Sequence, residues 1–211
     1  MKTNYIVVEG NIGAGKTSLA TMLAEDSGAR FMPEAFEDNP FLAKFYKDPD
    51  RYAFQLELSF LSERYQQIKK VLGQGDLFQQ MVISDYYLPK SIIFSKHTLK
   101  SDELVLFEKL FQIINLQVPL PDLYIYLHLP VDLLLKNIRN RGRSYEMEIS
   151  PNYLREVQDG YFAYFKTQTR MRILVIDSSR IDFVNNPEDY QRLKSLIFDG
   201  DYRPGMNMLI L

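Results

Sequence analysis

The first chemically suggestive residues in the chain are Gly10–Thr17, with the sequence GNIGAGKT. They match the pattern G-x-x-x-x-G-K-[ST] in full, between an apolar segment and the helical pattern SLATMLAE. Glycines let the backbone turn tightly and point successive N–H groups at phosphate oxygens, and a helix N-terminus adds favourable partial charge. The stretch predicts a nucleoside triphosphate site, rather than an ordinary glycine-rich turn, formed by Gly10, Asn11, Ile12, Gly13, Ala14, Gly15, Lys16, Thr17 and Ser18.

Lys16, Thr17 and Asp85 could supply the groups that a triphosphate and its metal ion need. Lys16 would reach the β- and γ-phosphates as a point charge, and the Thr17 hydroxyl would bind Mg²⁺. Asp85 ends the apolar segment MVISD, where a carboxylate can hold Mg²⁺ directly or through a water molecule. The alternative for Asp85 is a helix N-cap. We therefore expect ATP as a phosphate donor and Mg²⁺ as its cation.

Two other classes of phosphate-loop protein find no support in the sequence. A GTPase carries D-x-x-G and N-K-x-D motifs, and neither occurs here. A mechanical ATPase carries Asp-Glu after a strand, whereas Asp85 is followed by Tyr86. A small-molecule kinase needs instead an acceptor pocket, a base and an arginine-rich lid.

Glu34 and three arginines are candidates for that kinase chemistry. Glu34 ends a second apolar segment in FMPEAF and could accept the proton of an attacking alcohol, although a surface cap is the alternative. The segment IRNRGRSYE contains Arg139, Arg141 and Arg143. Because planar guanidinium groups clamp phosphoryl oxygens with paired hydrogen bonds, these residues predict a lid at about 139–148. A solvated helix end is the alternative for them.

The rest of the sequence indicates the elements that must position these groups. Apolar segments predict parallel strands at 5–10, 81–85, 123–129 and 172–177, with a weaker fifth at 29–34. Longer segments between them have helical spacing, most clearly from Tyr52 to Leu72. This alternation predicts an α/β fold of the three-layer P-loop NTPase type, with a five-stranded parallel sheet flanked by helices and the site at the carboxyl ends of its strands.

Composition limits the partners and the compartment that we expect. A chain of 211 residues fits one domain, 1–211, and a net charge of −2 gives no positive field for a nucleic-acid polymer. The absence of cysteine suits a reducing compartment. The first residues enter a strand without room for a secretory segment, and no apolar run approaches the ~20 residues of a membrane span. We expect a soluble, cytoplasmic protein that acts on small molecules, with no membrane partner.

Taken together, these residues resemble the deoxynucleoside kinase family, the deoxycytidine, deoxyguanosine and deoxyadenosine kinases. The match runs from EGNIGAGKT through PEAFEDNPFLAKFYKDPDRYAFQLELSFLSER and RGRSYE to IDSSRIDF. The middle block is its most specific part, because thymidylate kinases share the phosphate loop and a lid but generally lack that block. The resemblance implies transfer of a phosphoryl group to a deoxynucleoside by a homodimer built on helices.

The family pattern also implies roles for individual residues. Glu34 would be the general base for the sugar 5′-hydroxyl, while Tyr46 and Glu146 would bond the 3′-hydroxyl. A ribose 2′-hydroxyl would have to fit beside Tyr46. On the donor side the pattern implies lid arginines and a loop that packs on adenine: Arg141, Arg143, Asp182 and Phe183.

The chain departs from the family pattern after the third strand. The family typically has Asp or Glu, then Arg and Ser, whereas this chain has SDYYLPKS. Asp85 can fill the acidic position, but Tyr86 stands where an arginine would help neutralise phosphate and position the base. Ser91 and Phe94 are left without an assigned role.

A second departure concerns the nucleobase. The family usually reads the base with a glutamine on the long helix, and the matching residue here is Glu57. Glu57 and Arg64 are seven apart, so they share a helix face about 10 Å apart. An ionised glutamate only accepts hydrogen bonds, and guanine presents two adjacent donors, N1–H and the N2 amino group. We hypothesise a preference for deoxyguanosine and then deoxyadenosine; the alternative is that Glu57 pairs with Arg64 and another group reads the base.

The sequence thus predicts a kinase that transfers the γ-phosphoryl group of ATP, or of another nucleoside triphosphate, to the 5′-hydroxyl of a 2′-deoxynucleoside, with purines preferred. The alternatives are a nucleoside-monophosphate kinase of the thymidylate type and a P-loop protein that binds nucleotides without chemistry. The predicted catalytic residues are Lys16, Glu34, Asp85, Arg141 and Arg143. The predicted substrate-binding residues are Glu34, Tyr46, Glu57, Arg64, Asp85 and Glu146, and Arg139, Asp182 and Phe183 join the phosphate loop in binding ATP.

Overall fold

A parallel sheet forms the centre of the computed structural model, which describes residues 4–35, 39–73 and 81–210. Its strands in the described part of the chain are β1 (Tyr5–Gly10), β2 (Arg30–Met32), β3 (Val82–Ser84), β4 (Leu123–His128), β5 (Arg172–Asp177) and β6 (Gly205–Ile210). They lie in the order β2-β3-β1-β4-β5-β6, and every pairing is parallel. The predicted parallel α/β architecture is therefore confirmed.

The predicted number of strands was too low by one. The sixth strand, β6, pairs with β5 over the registers Arg172–Gly205 to Asp177–Ile210. Its side chains alternate between half-buried and exposed, whereas β1 is buried throughout. A half-covered edge strand lacks the continuous apolar run that marks a central parallel strand, so the pattern used for the other five did not detect it.

Helices cover both faces of the sheet, and a 3₁₀ turn, Ser144–Glu146, follows the sixth of them. Those in the described residues are α1 (Lys16–Ser27), α2 (Leu42–Lys47), α3 (Pro49–Leu72), α4 (Lys90–Thr98), α5 (Ser101–Asn115), α6 (Val131–Arg141), α7 (Pro151–Thr167) and α8 (Pro187–Asp199). Among the described residues, no helix is long and apolar enough to cross a membrane.

Alternation along the central strands builds two hydrophobic cores, one on each face of the sheet. Tyr5 and Val7 pack in one core with side chains of α3, α4, α5 and α7. Ile6 and Val8 pack in the other, chiefly with side chains of α1, α6 and α8. Successive side chains of a strand point to opposite faces, so a fully buried strand must serve both cores. The result is the predicted three-layer arrangement.

The strand order brings three predicted site segments to one edge of the sheet. β3 lies between β2 and β1. The phosphate loop (Gly10–Thr17) follows β1, Glu34 lies just beyond β2, and Asp85 directly follows β3. Since the strands are parallel, their carboxyl ends meet at the same edge, and these segments converge there.

Candidate functional site

One cavity of about 1010 Å³ joins the phosphate loop to the inner face of α3. Most of the residues predicted for the site line it, and the polar ones include Lys16, Thr17, Glu34, Tyr46, Glu57, Arg64, Asp85, Arg141, Arg143, Glu146 and Asp182. A volume of this size is at the upper end of the range for small-molecule pockets. This volume is large enough for two small-molecule ligands.

The phosphate loop has the backbone that its glycines predict. Gly13 and Gly15 have φ values of 83° and 85°, in the left-handed region that favours glycine. The Lys16 ammonium donates to the carbonyl oxygen of Asn11 at 2.9 Å, and the Asn11 amide donates to the carbonyl oxygen of Leu154 at 2.7 Å. Burial and the nearby Lys90 lower the pKa of Lys16 to about 8. The carboxylates of Glu9, Glu34 and Asp85 act to raise the pKa of Lys16, and a phosphate bound to the loop would add negative charge beside it.

Asp85 ties the phosphate loop to the neighbouring strand end. Its Oδ2 atom accepts from the Thr17 hydroxyl at 2.6 Å, and its Oδ1 atom accepts from the backbone N–H of Glu34 at 2.7 Å. The pair of Thr17 and Asp85 presents the hard oxygen ligands that Mg²⁺ prefers, beside the loop that would hold the phosphates. These residues fit the predicted cation.

Glu34 is the most strongly paired carboxylate that lines the cavity. Its Oε1 atom accepts from Nε and from a terminal nitrogen of Arg64 at 2.9 and 2.6 Å, and its Oε2 atom accepts from the Lys90 ammonium. Burial acts to raise its pKa, but the charges of Lys90 and Arg64 outweigh burial and lower the pKa to about 2. Glu34 is thus ionised at any physiological pH, with its two oxygens held in fixed directions.

Lys90 is a functional candidate that sequence reasoning missed. It is buried, lines the cavity and pairs with Glu34. Tyr86, which stands at the family's arginine position, is instead buried away from the cavity, where its hydroxyl donates to Gln67 at 2.9 Å. A signal for Lys90 existed, because it begins α4, where a cation opposes the helix dipole. Such a local conflict often marks a functional position.

Glu57 and Arg64 line the same cavity, as their spacing predicts. They do not form the ion pair with each other that was the alternative to a base-binding role for Glu57. The Arg64 guanidinium is bonded to Glu34 and, at 2.6 Å, to the Ser91 hydroxyl. Glu57 accepts from the Thr98 hydroxyl at 2.8 Å. Burial raises the pKa of Glu57 to about 7, although Thr98 and Arg64 act to lower it. No sequence signal pointed to Ser91 or Thr98, because each lies on another helix.

The predicted lid begins at the end of α6, which stops at Arg141 before Gly142 in a left-handed conformation. Arg141 Nε donates to Glu146 Oε2 at 3.1 Å, and a terminal nitrogen of Arg143 lies 3.5 Å from Glu146 Oε1. Both arginines line the cavity, and the Tyr46 ring lies 5.4 Å from the Tyr145 ring. Glu146 thus connects the lid arginines to the part of the cavity that contains Tyr46.

The donor end is formed by the phosphate loop, α6 and the segment after β5. Phe183 is buried beside Gly15, where a Cβ atom on the glycine would lie 3.1 Å from the ring. Asp182 lines the cavity and accepts from the backbone N–H of Asn185 at 3.1 Å. The predicted ATP residue Arg139 is exposed on α6 and is not among the described residues that line the cavity. Its role stays a prediction.

Comparison with known proteins agrees with this geometry. The family model described as deoxynucleoside kinase matches residues 6–199. A deoxyguanosine kinase of Bacillus subtilis is 36% identical over 193 residues, which cover 90% of this chain and 93% of the relative. A deoxyadenosine kinase of Lactobacillus acidophilus is 31% identical over 195 residues, which cover 86% of this chain and 88% of the relative.

A solved structure is similar in fold. The structure of deoxyadenosine kinase from M. mycoides with bound dCTP has a TM-score of 0.78 and 21% identity, and the alignment covers 92% of this chain and 99% of that one. The resemblance stated from the sequence is therefore confirmed: the chain belongs to the deoxynucleoside kinase family.

Proposed function

We propose that this enzyme transfers the γ-phosphoryl group of ATP to the 5′-hydroxyl of a 2′-deoxynucleoside, with deoxyguanosine preferred and deoxyadenosine next. One observation carries the proposal: Glu34 and the phosphate loop line one cavity, and Asp85 accepts from both the Thr17 hydroxyl and the backbone N–H of Glu34. A donor bound to the loop and an alcohol bound at Glu34 would therefore face each other.

The proposed reaction forms a bond between the sugar 5′-oxygen and the γ-phosphorus while the bond from that phosphorus to the ADP oxygen breaks. The hydroxyl proton passes to Glu34. A carboxylate with a pKa of about 2 is a weak base, so proton transfer would come late, when bond formation has made the alcohol acidic. This order suits a loose transition state, in which aligning the alcohol matters more than removing its proton early.

Mg²⁺ and the lid complete the proposed donor site. Thr17 and Asp85 would hold Mg²⁺ directly or through water, and the ion would neutralise charge on the β- and γ-phosphates. Arg141 and Arg143, now paired with Glu146, would bond the phosphoryl oxygens as residues 139–148 close. Closure excludes water, so that the sugar alcohol rather than solvent attacks.

The purine preference rests on Glu57 and on the relatives. Glu57 lines the cavity, and Arg64 does not neutralise it by a direct bond because Arg64 is engaged with Glu34 and Ser91. An ionised Glu57 can accept both N1–H and N2–H of guanine. The names of the Bacillus and Lactobacillus relatives, deoxyguanosine kinase and deoxyadenosine kinase, agree with purine substrates.

Steady-state kcat/KM on the four natural deoxynucleosides tests the proposal. Deoxyguanosine should be highest, and a value tenfold or more higher for deoxycytidine or thymidine would overturn the guanine preference. Preferential phosphorylation of dTMP or dGMP would favour a monophosphate kinase. Tight ATP binding with no ADP formed on addition of any deoxynucleoside would favour a binding protein.

We also propose that the enzyme is a single domain and a homodimer, with α5 in the interface. Val105, Leu106 and Ile113 are exposed on this helix, and Leu116 just after it is 88% exposed. Contiguous apolar residues on a surface mark interaction sites. Light scattering after size exclusion should give twice the monomer mass, and Ile113→Glu should shift the protein to a monomer; a wild-type monomer would contradict the dimer.

A further inference from the structure

A polar pair, Glu57 and Thr98, lines the cavity and takes no part in the phosphoryl transfer proposed above. Glu57 is 4% exposed and lines the cavity. Within the described residues, its carboxyl group makes one hydrogen bond, in which Oε1 accepts from the Thr98 hydroxyl. Leu56, Phe60 and Phe94 line the cavity around the pair. A carboxyl group in such apolar surroundings needs a ligand or a proton to offset the loss of water.

The two forms of this carboxyl group present opposite hydrogen-bonding patterns. As a carboxylate it offers two acceptors, which match the adjacent N1–H and N2–H donors of guanine. As a carboxylic acid it offers one donor and one acceptor, which match N1 and the N6 amino group of adenine, and also N3 and the N4 amino group of cytosine. Oε1 accepts from Thr98 and, with a further lone pair, can accept from a base in either form, so the proton on Oε2 decides which of the two patterns the base meets.

We propose, on the basis of the function proposed above, that Glu57 held by Thr98 is a proton-dependent reader of the nucleobase, selecting guanine as a carboxylate and adenine as a carboxylic acid. The selectivity between deoxyguanosine and deoxyadenosine then changes with pH in one enzyme. Burial raises the pKa of Glu57 to about 7, so that both forms occur in the range where the enzyme can be assayed.

The charged and titratable groups that surround Glu57 are paired or titrate outside the assay range, with His97 as the group to control for. On α3 and α4, Arg64 and Lys90 are both paired with Glu34, which follows β2 and stays ionised. From α7, Tyr153 faces Glu57, and burial raises the pKa of this tyrosine far above the assay range. His97 precedes Thr98 but lies 3.6 Å from Glu156. Because its imidazole is close to Thr98 in the chain, a variant at His97 serves as a control.

The test is the ratio of kcat/KM for deoxyguanosine to that for deoxyadenosine between about pH 6 and about pH 8.5, below the loss of guanine's own N1 proton. Across this range kcat/KM for deoxyguanosine should rise and kcat/KM for deoxyadenosine should fall, each with a midpoint near the pKa of about 7 for Glu57, so that the ratio rises about tenfold or more. Titration of Lys16 changes the donor site for both purines alike and cancels from the ratio. Deoxycytidine should follow deoxyadenosine, since it presents the same pattern.

Variants separate the reader from other causes. Glu57→Gln keeps one donor and one acceptor at every pH, so its ratio should be low and constant. Thr98→Val removes a hydrogen bond that lowers the pKa of Glu57 and should move the midpoint to higher pH, while Thr98→Ser should keep it. His97→Gln should leave the wild-type curve unchanged. Circular dichroism checks that each variant is folded.

A ratio that stays flat in the wild-type enzyme, or a midpoint that vanishes in His97→Gln, would overturn the inference while leaving the deoxynucleoside kinase function intact. If no deoxynucleoside were phosphorylated, the proposed function would fail separately. The reader would then be tested by calorimetric Kd values for deoxyguanosine and deoxyadenosine at the two ends of the pH range. A ratio of Kd values that rises in favour of guanine would support it, and a constant ratio would overturn it.

Discussion

At the scale of single residues, the main finding is that the predicted base is held by two cations. Glu34 accepts hydrogen bonds from Arg64 and Lys90, which come from different helices. Their combined charge lowers the pKa of the carboxylate, which keeps it ionised and makes it a weaker base. The residue is therefore better suited to holding an alcohol in line with the phosphorus than to removing its proton in advance.

Replacement of the base tests this role. Glu34→Gln should lower kcat by roughly 10²-fold or more, the usual scale for loss of general-base catalysis. Calorimetry should show that the variant still binds deoxynucleoside, and thermal unfolding should show a lower Tm because two buried cations lose their partner. An unchanged kcat would remove Glu34 from the mechanism.

Lys90 offers a second test at this scale, through the acid side of the pH–rate profile. Lys90→Met removes a charge that lowers the pKa of Glu34, so the acid limb of kcat/KM should move about one to three pH units higher. The variant should lose a larger share of its pH 7 activity at pH 5 than the wild-type enzyme does. Lys96→Met, on the exposed side of the same helix, is the matched control. Identical acid limbs in the two variants would contradict a role for Lys90 in positioning Glu34.

At the scale of elements, α3 shows how one helix serves both the packing of the core and the chemistry of the site. The apolar spacing predicts the core face of α3, and Leu61 and Ile68 do lie in the core. Glu57 and Arg64 are buried on the same helix but line the cavity. Two charged side chains buried on one helix cannot be explained by packing, and their placement marks the face that meets a ligand.

The geometry of the phosphate loop predicts unequal effects for two glycine substitutions. Gly13 and Gly28 both have positive φ values, 83° and 64°, so alanine at either position should cost about 1–2 kcal/mol of unfolding free energy. A Cβ atom at Gly13 would also lie 2.8 Å from the carbonyl oxygen of Leu134, whereas a Cβ atom at Gly28 meets nothing within 4 Å.

ATP binding should therefore weaken tenfold or more in Gly13→Ala and stay near wild type in Gly28→Ala. Denaturant unfolding and calorimetric titration of ATP on the two proteins make the comparison. Equal ATP affinities would show that the loop tolerates the displacement.

At the scale of the whole molecule, the burial of Glu57 that the proposed base specificity needs lowers the stability of the folded protein at neutral pH. Its pKa is about 7 in the folded protein and 4.5 as the ordinary value. An unfolded chain thus releases this proton first as the pH rises. The folded state loses stability between these two values, by an amount on the order of 3 kcal/mol that stays lost at higher pH.

Glu57→Gln removes this loss, because an amide does not ionise. The free energy of unfolding of the variant, relative to wild type, should increase by roughly 3 kcal/mol between pH 4.5 and pH 8. Urea unfolding at a series of pH values measures it. Glu148→Gln, at an exposed position of the lid, should follow the wild-type pH dependence. A parallel course for Glu57→Gln and wild type would mean that Glu57 is charged throughout this range.

The sequence by itself determined the features whose causes are local along the chain. The turn after β1 needs glycine backbones, so a glycine-rich turn between β1 and α1 could be predicted from the sequence. Buried parallel strands are continuous apolar runs, so five of the six strands were predicted and only the half-exposed edge strand β6 was missed.

Tertiary structure decided which charged groups meet inside the cavity. Lys90 reaches Glu34 across 56 residues and Thr98 reaches Glu57 across 41. Neither contact can be predicted from spacing along the chain. Each depends on how helices that connect different strands pack over the same edge of the sheet. The local sequence therefore predicts a phosphate site. The ionisation of Glu34 and the hydrogen bond from Thr98 to Glu57 arise only when distant helices come into contact.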